Sequence, residues 1–193
     1  MVVLTGVLDA ATTRREDRTF TVGTSPRLVI RDGVGGGLRG GIVVNAGAPD
    51  VLHVEGKVHA TWRVQYVLAQ RANEVSIEAR PRPFLGWLNL LGPARFTVTA
   101  PSDTRLDVES SSAPIEVRGI AGGGSLQTTH GDIRVRLDGS PSLRLEARTT
   151  GGAVTASRRL TVSEQTPHAL VATMGGGAAE LRIRTTSGAI TIE

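Results

Sequence analysis

Along the second half of the chain apolar and polar residues alternate, and the alternation returns at near-regular intervals. The stretches SSAPIEV from Ser111, THGDIRV from Thr129, TGGAVTA from Thr150 and TSGAITI from Thr186 each open on small polar residues, turn, and run into a strand of period two. Their first apolar residues, Ile115, Ile133, Val154 and Ile190, stand 18, 21 and 36 residues apart. The last interval is twice 18, which predicts a degenerate copy near Ala172 to Glu180. Seven positions before each marker stand Val108, Leu126, Ala147 and Ile183, and two after it Val117, Val135, Ala156 and Ile192. Their neighbours are polar, with Glu109, Gln127, Arg148 and Arg184 before the turns and Glu116, Arg134, Thr155 and Thr191 after them.

A period of two within each strand and a recurrence between strands mean that equivalent residues can stack. An antiparallel sandwich would not require like residues to recur at a fixed spacing, although an irregular β-sandwich remains the competing reading. In a parallel β-helix each copy is one coil, pairing with the next about 4.8 Å away, and recurrence is demanded. No stretch between the copies has the length and 3.6-residue pattern of a crossover helix. The pattern therefore predicts an all-β fold, a short-coiled right-handed parallel β-helix, its hand taken from the rule for parallel crossovers.

The first half reads differently. RLVIRD, a glycine-rich bend and GIVVN, from Arg27, match RLDVES and IEVRG further on and predict a first coil. Beyond it, Val58, Ala60, Trp62, Val64, Tyr66 and Leu68 line one side of a long strand; Val75, Ile77 and Ala79 mark a second and RFTVTAP a third. These longer, partly antiparallel strands are expected to cover one end of the solenoid, where an open strand would invite edge pairing. The organisation expected is an N-terminal segment, 1–17, an N-terminal β region with first coil and cap, 18–100, and repetitive coils, 101–193. Late in the second region, before VTAP, RPRPFLGWLNLLGPARF gathers Phe84, Leu85, Trp87, Leu88, Leu90 and Leu91 among prolines. It is too short to span a bilayer and is expected to be a flap over the core or an interaction foot with Trp87 as anchor.

Composition narrows the picture. Aromatics are 3% of 193 residues while glycines number 24 and prolines 9, a profile of strands and turns rather than long helices. The absence of cysteine excludes disulfides and thiolate chemistry. The net charge of +4 permits contact with an acidic surface or membrane interface, but the arginines alternate with acids instead of forming a block, so no specific nucleic acid is expected. The N-terminus lacks the pattern of an export signal, and no apolar run approaches a membrane span. As written this points to the cytoplasm, or to the cell envelope if the chain is trimmed from a longer protein.

The opening FTVGTSPRLVIRD, the linker VTAPSDTRLDVES and units such as LQTTHGDIRVRL and LRIRTTSGAITIE resemble the bacterial adhesin-like β-strand-repeat proteins, a domain family of unknown function, over roughly residues 18–193. The resemblance implies a β-helical domain, often attached to a membrane or envelope protein, without catalytic residues to transfer.

No chemistry stands out residue by residue. Gly35, Gly37 and Gly40 have dinucleotide-fingerprint spacing, but Ile42, Val43 and Val44 begin a strand where that fingerprint needs a helix. His53, His59, His130 and His168 are scattered, which predicts surface histidines rather than a metal site. Among carboxylates that could serve acid–base work, Glu116 is placed opposite Arg134 and Asp107 opposite Ser125, a solvated ladder, while Asp103, Asp107 and Asp132 are the set to watch near a corner. Arg134, Arg136, Arg144, Arg148, Arg182 and Arg184 are candidates for one outward basic stripe.

The reading that follows is a non-enzymatic structural or protein-interaction module needing no cofactor, a scaffold expected to self-associate as a homo-oligomer or to bind a protein partner. Ile190 and Ile192 lie in core register at the end of the chain and mark the expected axial-stacking end. An envelope-associated adhesin or stress-sensing domain is the second reading, and a glycan-active β-helix enzyme the third.

Overall fold

The computed structural model describes residues 14–33, 40–58, 64–81, 94–157 and 160–193, and all its regular elements are strands. In chain order they are β1 (Arg14–Thr21), β2 (Arg27–Asp32), β3 (Gly41–Ala46), β4 (Val51–Val58), β5 (Val64–Arg71), β6 (Glu74–Pro81), β7 (Ala94–Ala100), β8 (Arg105–Ser110) and β9 (Ile115–Arg118). There follow β10 (Gly124–Thr128), β11 (Ile133–Arg136), β12 (Leu143–Thr149), β13 (Val154–Ala156), β14 (Thr161–Thr166), β15 (Ala169–Met174), β16 (Ala179–Thr185) and β17 (Ile190–Ile192). They form two mixed sheets, ordered β1-β4-β7-β3-β9-β11-β17-β13 and β14-β15-β12-β16-β10-β8-β2-β6-β5.

The stacking predicted from the repeat is present. Val154, Ile190, Ile133, Ile115, Ile42 and Phe96 pair in one row across the eight-stranded sheet. Ala147, Ile183, Leu126, Val108, Ile30 and Ile77 form the matching row in the nine-stranded sheet. All are buried in one apolar cluster between the sheets, which gives the inward half of each period-two pattern its driving force. The first coil, β2 followed by β3, also forms as expected, and both strands pair across the boundary at 100/101 with β8 and β9.

The order of coils corrects the expected helix. The chain alternates between the two sheets, but it does not stack coil upon coil in sequence. In space β6/β7 lies outside β2/β3, and β16/β17 is inserted between β10/β11 and β12/β13. The interval of 36 between Val154 and Ile190 is not two coils. It holds the hairpin β14–β15, with β15 antiparallel to β12, and a return across β12 to its other side. No coil lies near Ala172 to Glu180; Gly175 and Gly177, at φ 59° and 65°, turn the chain there, and the hydroxyl and carbonyl of Ser142 accept from the amides of Ala178 and Ala179.

A consequence is that Ile190 and Ile192 are not at an end. β17 pairs with β11 on one side and β13 on the other, and both isoleucines are fully buried, so the expected axial-stacking end is ruled out. The other predicted residues, Phe84, Leu85, Trp87, Leu88, Leu90 and Leu91, lie outside the described residues.

The corners explain the small polar residues that open each repeat. In coil after coil a buried hydroxyl accepts from the amide three residues on, Thr128 from Gly131, Thr149 from Gly152 and Thr185 from Gly188, with Ser110 accepting from Ala113. The same hydroxyls donate to the neighbouring coil: Thr149 to the carbonyl of Gly188, Thr185 to Gly131, Thr128 to Ala113, and Ser110 to the carboxylate of Asp32. Each hydroxyl thus closes its own turn and pins the next, satisfying backbone groups that burial would otherwise leave unpaired. The carbonyl of Gly152, which ends the series, accepts instead from Nδ1 of His168 at 2.7 Å. That nitrogen therefore carries the proton, and the tip of the β14–β15 hairpin takes the place of a further coil.

Candidate interaction face

Outward side chains of the nine-stranded sheet stand in register rows, because parallel pairing fixes both spacing and direction. One row runs Glu146, Arg182, Ser125, Asp107, Val29, Ser76, and the next Arg148, Arg184, Gln127, Glu109, Arg31, Glu78. A third aligns Arg144 with Glu180, and Arg105 with Arg27 and Glu74.

At one side the charges are clamped. Both terminal nitrogens of Arg31 reach both oxygens of Asp107 at 2.9 Å, and Arg27 adds a bond of 2.9 Å to the same carboxylate and one of 3.2 Å to Glu74. The hydrogen bonds from Arg31, then those from Arg27, hold the Asp107 carboxyl below the usual carboxylate range against the opposing effect of burial. The clamp joins β2 to β8. Asp107→Asn is expected to cost about 1 kcal/mol at neutral pH, since the partners are partly solvated. Because the folded carboxyl titrates below its ordinary 3.8, the clamp contributes fully above that value and is lost as pH falls through the folded one. Urea unfolding of both proteins from pH 7 down to 2 should show the gap closing in acid; a gap unchanged by acid would refute the assignment.

At the other side the charges are looser. Arg182 pairs with Glu180 at 3.1 Å, Arg148 with Glu146 at 3.2 Å, and Arg182 and Arg184 each reach Glu146 only at 3.9 Å. Arg105 and Arg144 have no ion pair among the described residues. Between these regions β10 carries only Ser125 and Gln127 outward and begins on glycines, because a side chain on Gly124 would meet the carbonyl of Leu106. The result is a groove of about 570 Å³ with β10 as floor, Arg27, Arg105 and Asp107 on one wall and Glu180, Arg182 and Arg184 on the other.

The eight-stranded sheet presents a more neutral outer face of Thr97, Val43, Thr191 and Thr155, with Arg118 paired to Glu116 and Arg134 and Arg136 to Glu193. The expected single basic stripe is thus divided: Arg134 and Arg136 are on this face, Arg144, Arg148, Arg182 and Arg184 on the other.

The expected pairings of Glu116 with Arg134 and of Asp107 with Ser125 are both observed. Asp103, Asp107 and Asp132 do not converge. Asp103 accepts from the amide and hydroxyl of Ser25, Asp107 from arginines, and Asp132 from the amide of Ala189. No group of three metal-ligating side chains occurs among the described residues. His53 bonds to Thr19 and Glu55, His130 is exposed, His168 caps the last corner, and His59 lies outside the described residues. The glycine-rich stretch between β2 and β3 falls largely on residues 34–39, outside the described residues, and Ile42, Val43 and Val44 lie in β3.

The same fold occurs in a candidate cell adhesion protein from Clostridium sporogenes, at a TM-score of 0.54 and 13% identity over 93% of this chain and 99% of that one. A candidate adhesin from Parabacteroides distasonis matches less closely, with a TM-score of 0.39 and 12% identity over 93% of this chain and 65% of the other. No curated protein matches the chain. The Toastrack DUF4097 profile matches residues 44–193, spanning both sheets, and the chain belongs to that family.

Proposed function

We propose that this domain is a non-enzymatic, adhesin-like interaction module, a rigid scaffold that presents its outer sheet faces to partners. The observation that carries the reading is the disposition of charge: Asp107, Glu116, Glu146 and Glu193 are spent on arginines and Asp132 on a backbone amide instead of converging as an acid–base pair. The fold shared with a candidate cell adhesion protein supports it, and favours a place at the cell envelope as a second reading.

Self-association belongs to this proposal, by a different route from end stacking. Edge strands are normally blunted. Here β1 carries Arg15, Glu16, Asp17 and Arg18, β13 has three residues, and β14 is broken by a bulge between Val162 and Glu164. Among the described strands β5, reading VQYVLAQR, is the long regular edge with a single charge, and its Val67 is 43% exposed. A second copy pairing along β5 would extend the nine-stranded sheet. Sedimentation velocity over a wide concentration range should show a dimer, and Val67→Lys should abolish it; a wild-type chain that stays monomeric at the highest concentration sinks this part of the proposal.

A further inference from the structure

We propose that the groove floored by β10 binds a linear acidic glycan, a polysaccharide carrying uronate carboxylates or sulfate esters. The inference rests on the reading of the domain as an interaction module and names the ligand class of one face.

Three features of the groove point there. Its charge is unbalanced, four arginines against the carboxylates of Asp107 and Glu180. Within that set Arg105 has no ion pair among the described residues, and Arg184 is approached by a carboxylate only at 3.9 Å, so both can turn to a ligand without breaking a strong bond. Second, Arg105 on β8 stands across the floor strand from Arg182 and Arg184 on β16, two strand spacings or roughly 9–10 Å away, with Arg27 on β2 one spacing further out. That separation suits charges distributed along a sugar chain, one per residue or two, better than a compact ion. Third, the floor offers Ser125 and Gln127, and the walls interleave carboxylates with the arginines. Guanidinium groups take the carboxylates or sulfates in paired hydrogen bonds, while Ser, Gln, Asp and Glu side chains suit sugar hydroxyls.

The same features disfavour nucleic acid. Among the described residues no aromatic side chain lines the groove for base stacking. The paired strands hold the floor and the backbone of both walls in place before any ligand arrives, which limits the ordering cost of binding.

Titration calorimetry on the full chain, with an oligogalacturonate decasaccharide, a heparin-derived decasaccharide, neutral dextran of similar length and a single-stranded oligonucleotide as probes, tests the proposal. At least one acidic glycan should bind and dextran should not; preference for the first probe or the second distinguishes carboxylate from sulfate. The double variant Arg105→Ser/Arg184→Ser should weaken binding by about tenfold or more. Arg134→Ser/Arg136→Ser removes the same charge from the opposite face and should change binding less than about twofold. Circular dichroism confirms that both variants fold. Absence of binding to either acidic glycan, equal losses in the two variants, or tighter binding of the oligonucleotide overturns the assignment. If glycan binding fails while the dimer along β5 is seen, only this inference falls; if both fail, the interaction-module reading falls with it.

Discussion

Removal of the last eight residues, Thr186 to Glu193, is expected to leave a chain that does not fold, even though it trims only the C-terminus. In a solenoid wound in chain order the last strand is an edge, and its loss removes one coil from an otherwise intact stack. Here that strand, β17, lies inside the eight-stranded sheet. Without it β11 and β13 lose their common partner, and the amides of Ile133, Leu137 and Ser157 lose the carbonyls of Ala189, Glu193 and Ile192. Ile190 and Ile192, both fully buried, leave a gap in the core. Truncating one buried isoleucine to alanine costs about 2–5 kcal/mol, so two whole side chains and a row of hydrogen bonds together rival the roughly 5–15 kcal/mol by which a domain is stable. The matched comparison is deletion of residues 1–17, which removes part of β1, a strand that among the described residues pairs on one side only. That protein should keep a cooperative thermal transition by circular dichroism with a lowered midpoint. A cooperative melt in the C-terminal truncation near the wild-type temperature would show that β17 is not the interior strand described. The same topology sets β17 between two strands that precede it in the chain, β11 and β13, so the eight-stranded sheet cannot close before β17 is made.

The sequence carried the rows of the core but not their order. Period two and the recurrence of Val108, Leu126, Ala147 and Ile183 reflect side-chain burial, which is local and repeats wherever two strands stack. Which coil lies beside which depends on long connections. The stretch from Leu160 to Ala178 was legible only as a length that happened to match two coils, and the hairpin it forms is built from polar strand residues such as those of TVSEQT that resemble an outer face. At the other end one long strand through Val58 to Leu68 was expected, whereas β4 (Val51–Val58) belongs to the eight-stranded sheet and β5 (Val64–Arg71) to the nine-stranded one, and the position of β6/β7 outside β2/β3 was not legible either. The Arg31–Asp107 clamp was within reach, because aligning RLVIRD with RLDVES sets Arg31 beside Glu109 and Val29 beside Asp107. The lack of an ion pair at Arg105 among the described residues was not, since it is a property of neighbours brought together from distant segments. The hydroxyl–amide–carbonyl corners leave a signal, a Thr three residues before a Gly, whose hydrogen-bonding meaning appears only when the adjacent coil is in place.

Those corners make the second large prediction, which turns on two adjacent glycines in the motif TTGG. Gly152→Ala is expected to cost roughly 3 kcal/mol, a drop of about 6–12 °C in melting temperature for a chain of this size, whereas Gly151→Ala should shift stability by less than about 0.5 kcal/mol. Neither residue has a positive φ, so conformational freedom does not separate them. Space does. A Cβ on Gly152 would stand 2.0 Å from the carbonyl oxygen of Gly188 and 2.6 Å from its carbon, while one on Gly151 would have nothing nearer than the carbonyl of Thr186 at 3.4 Å. The atoms in the way at Gly152 are backbone of the neighbouring coil and cannot rotate aside. That same Gly188 carbonyl accepts from Thr149, whose hydroxyl in turn accepts from the amide of Gly152, so displacing the coil to admit a methyl group also opens both bonds of the corner. Thermal and urea unfolding of the two variants decide the matter. Equal losses at both positions would mean that the corner needs glycine for a pliable backbone rather than for the close approach of two coils, and the stacking described for β12/β13 on β16/β17 would have to be revised.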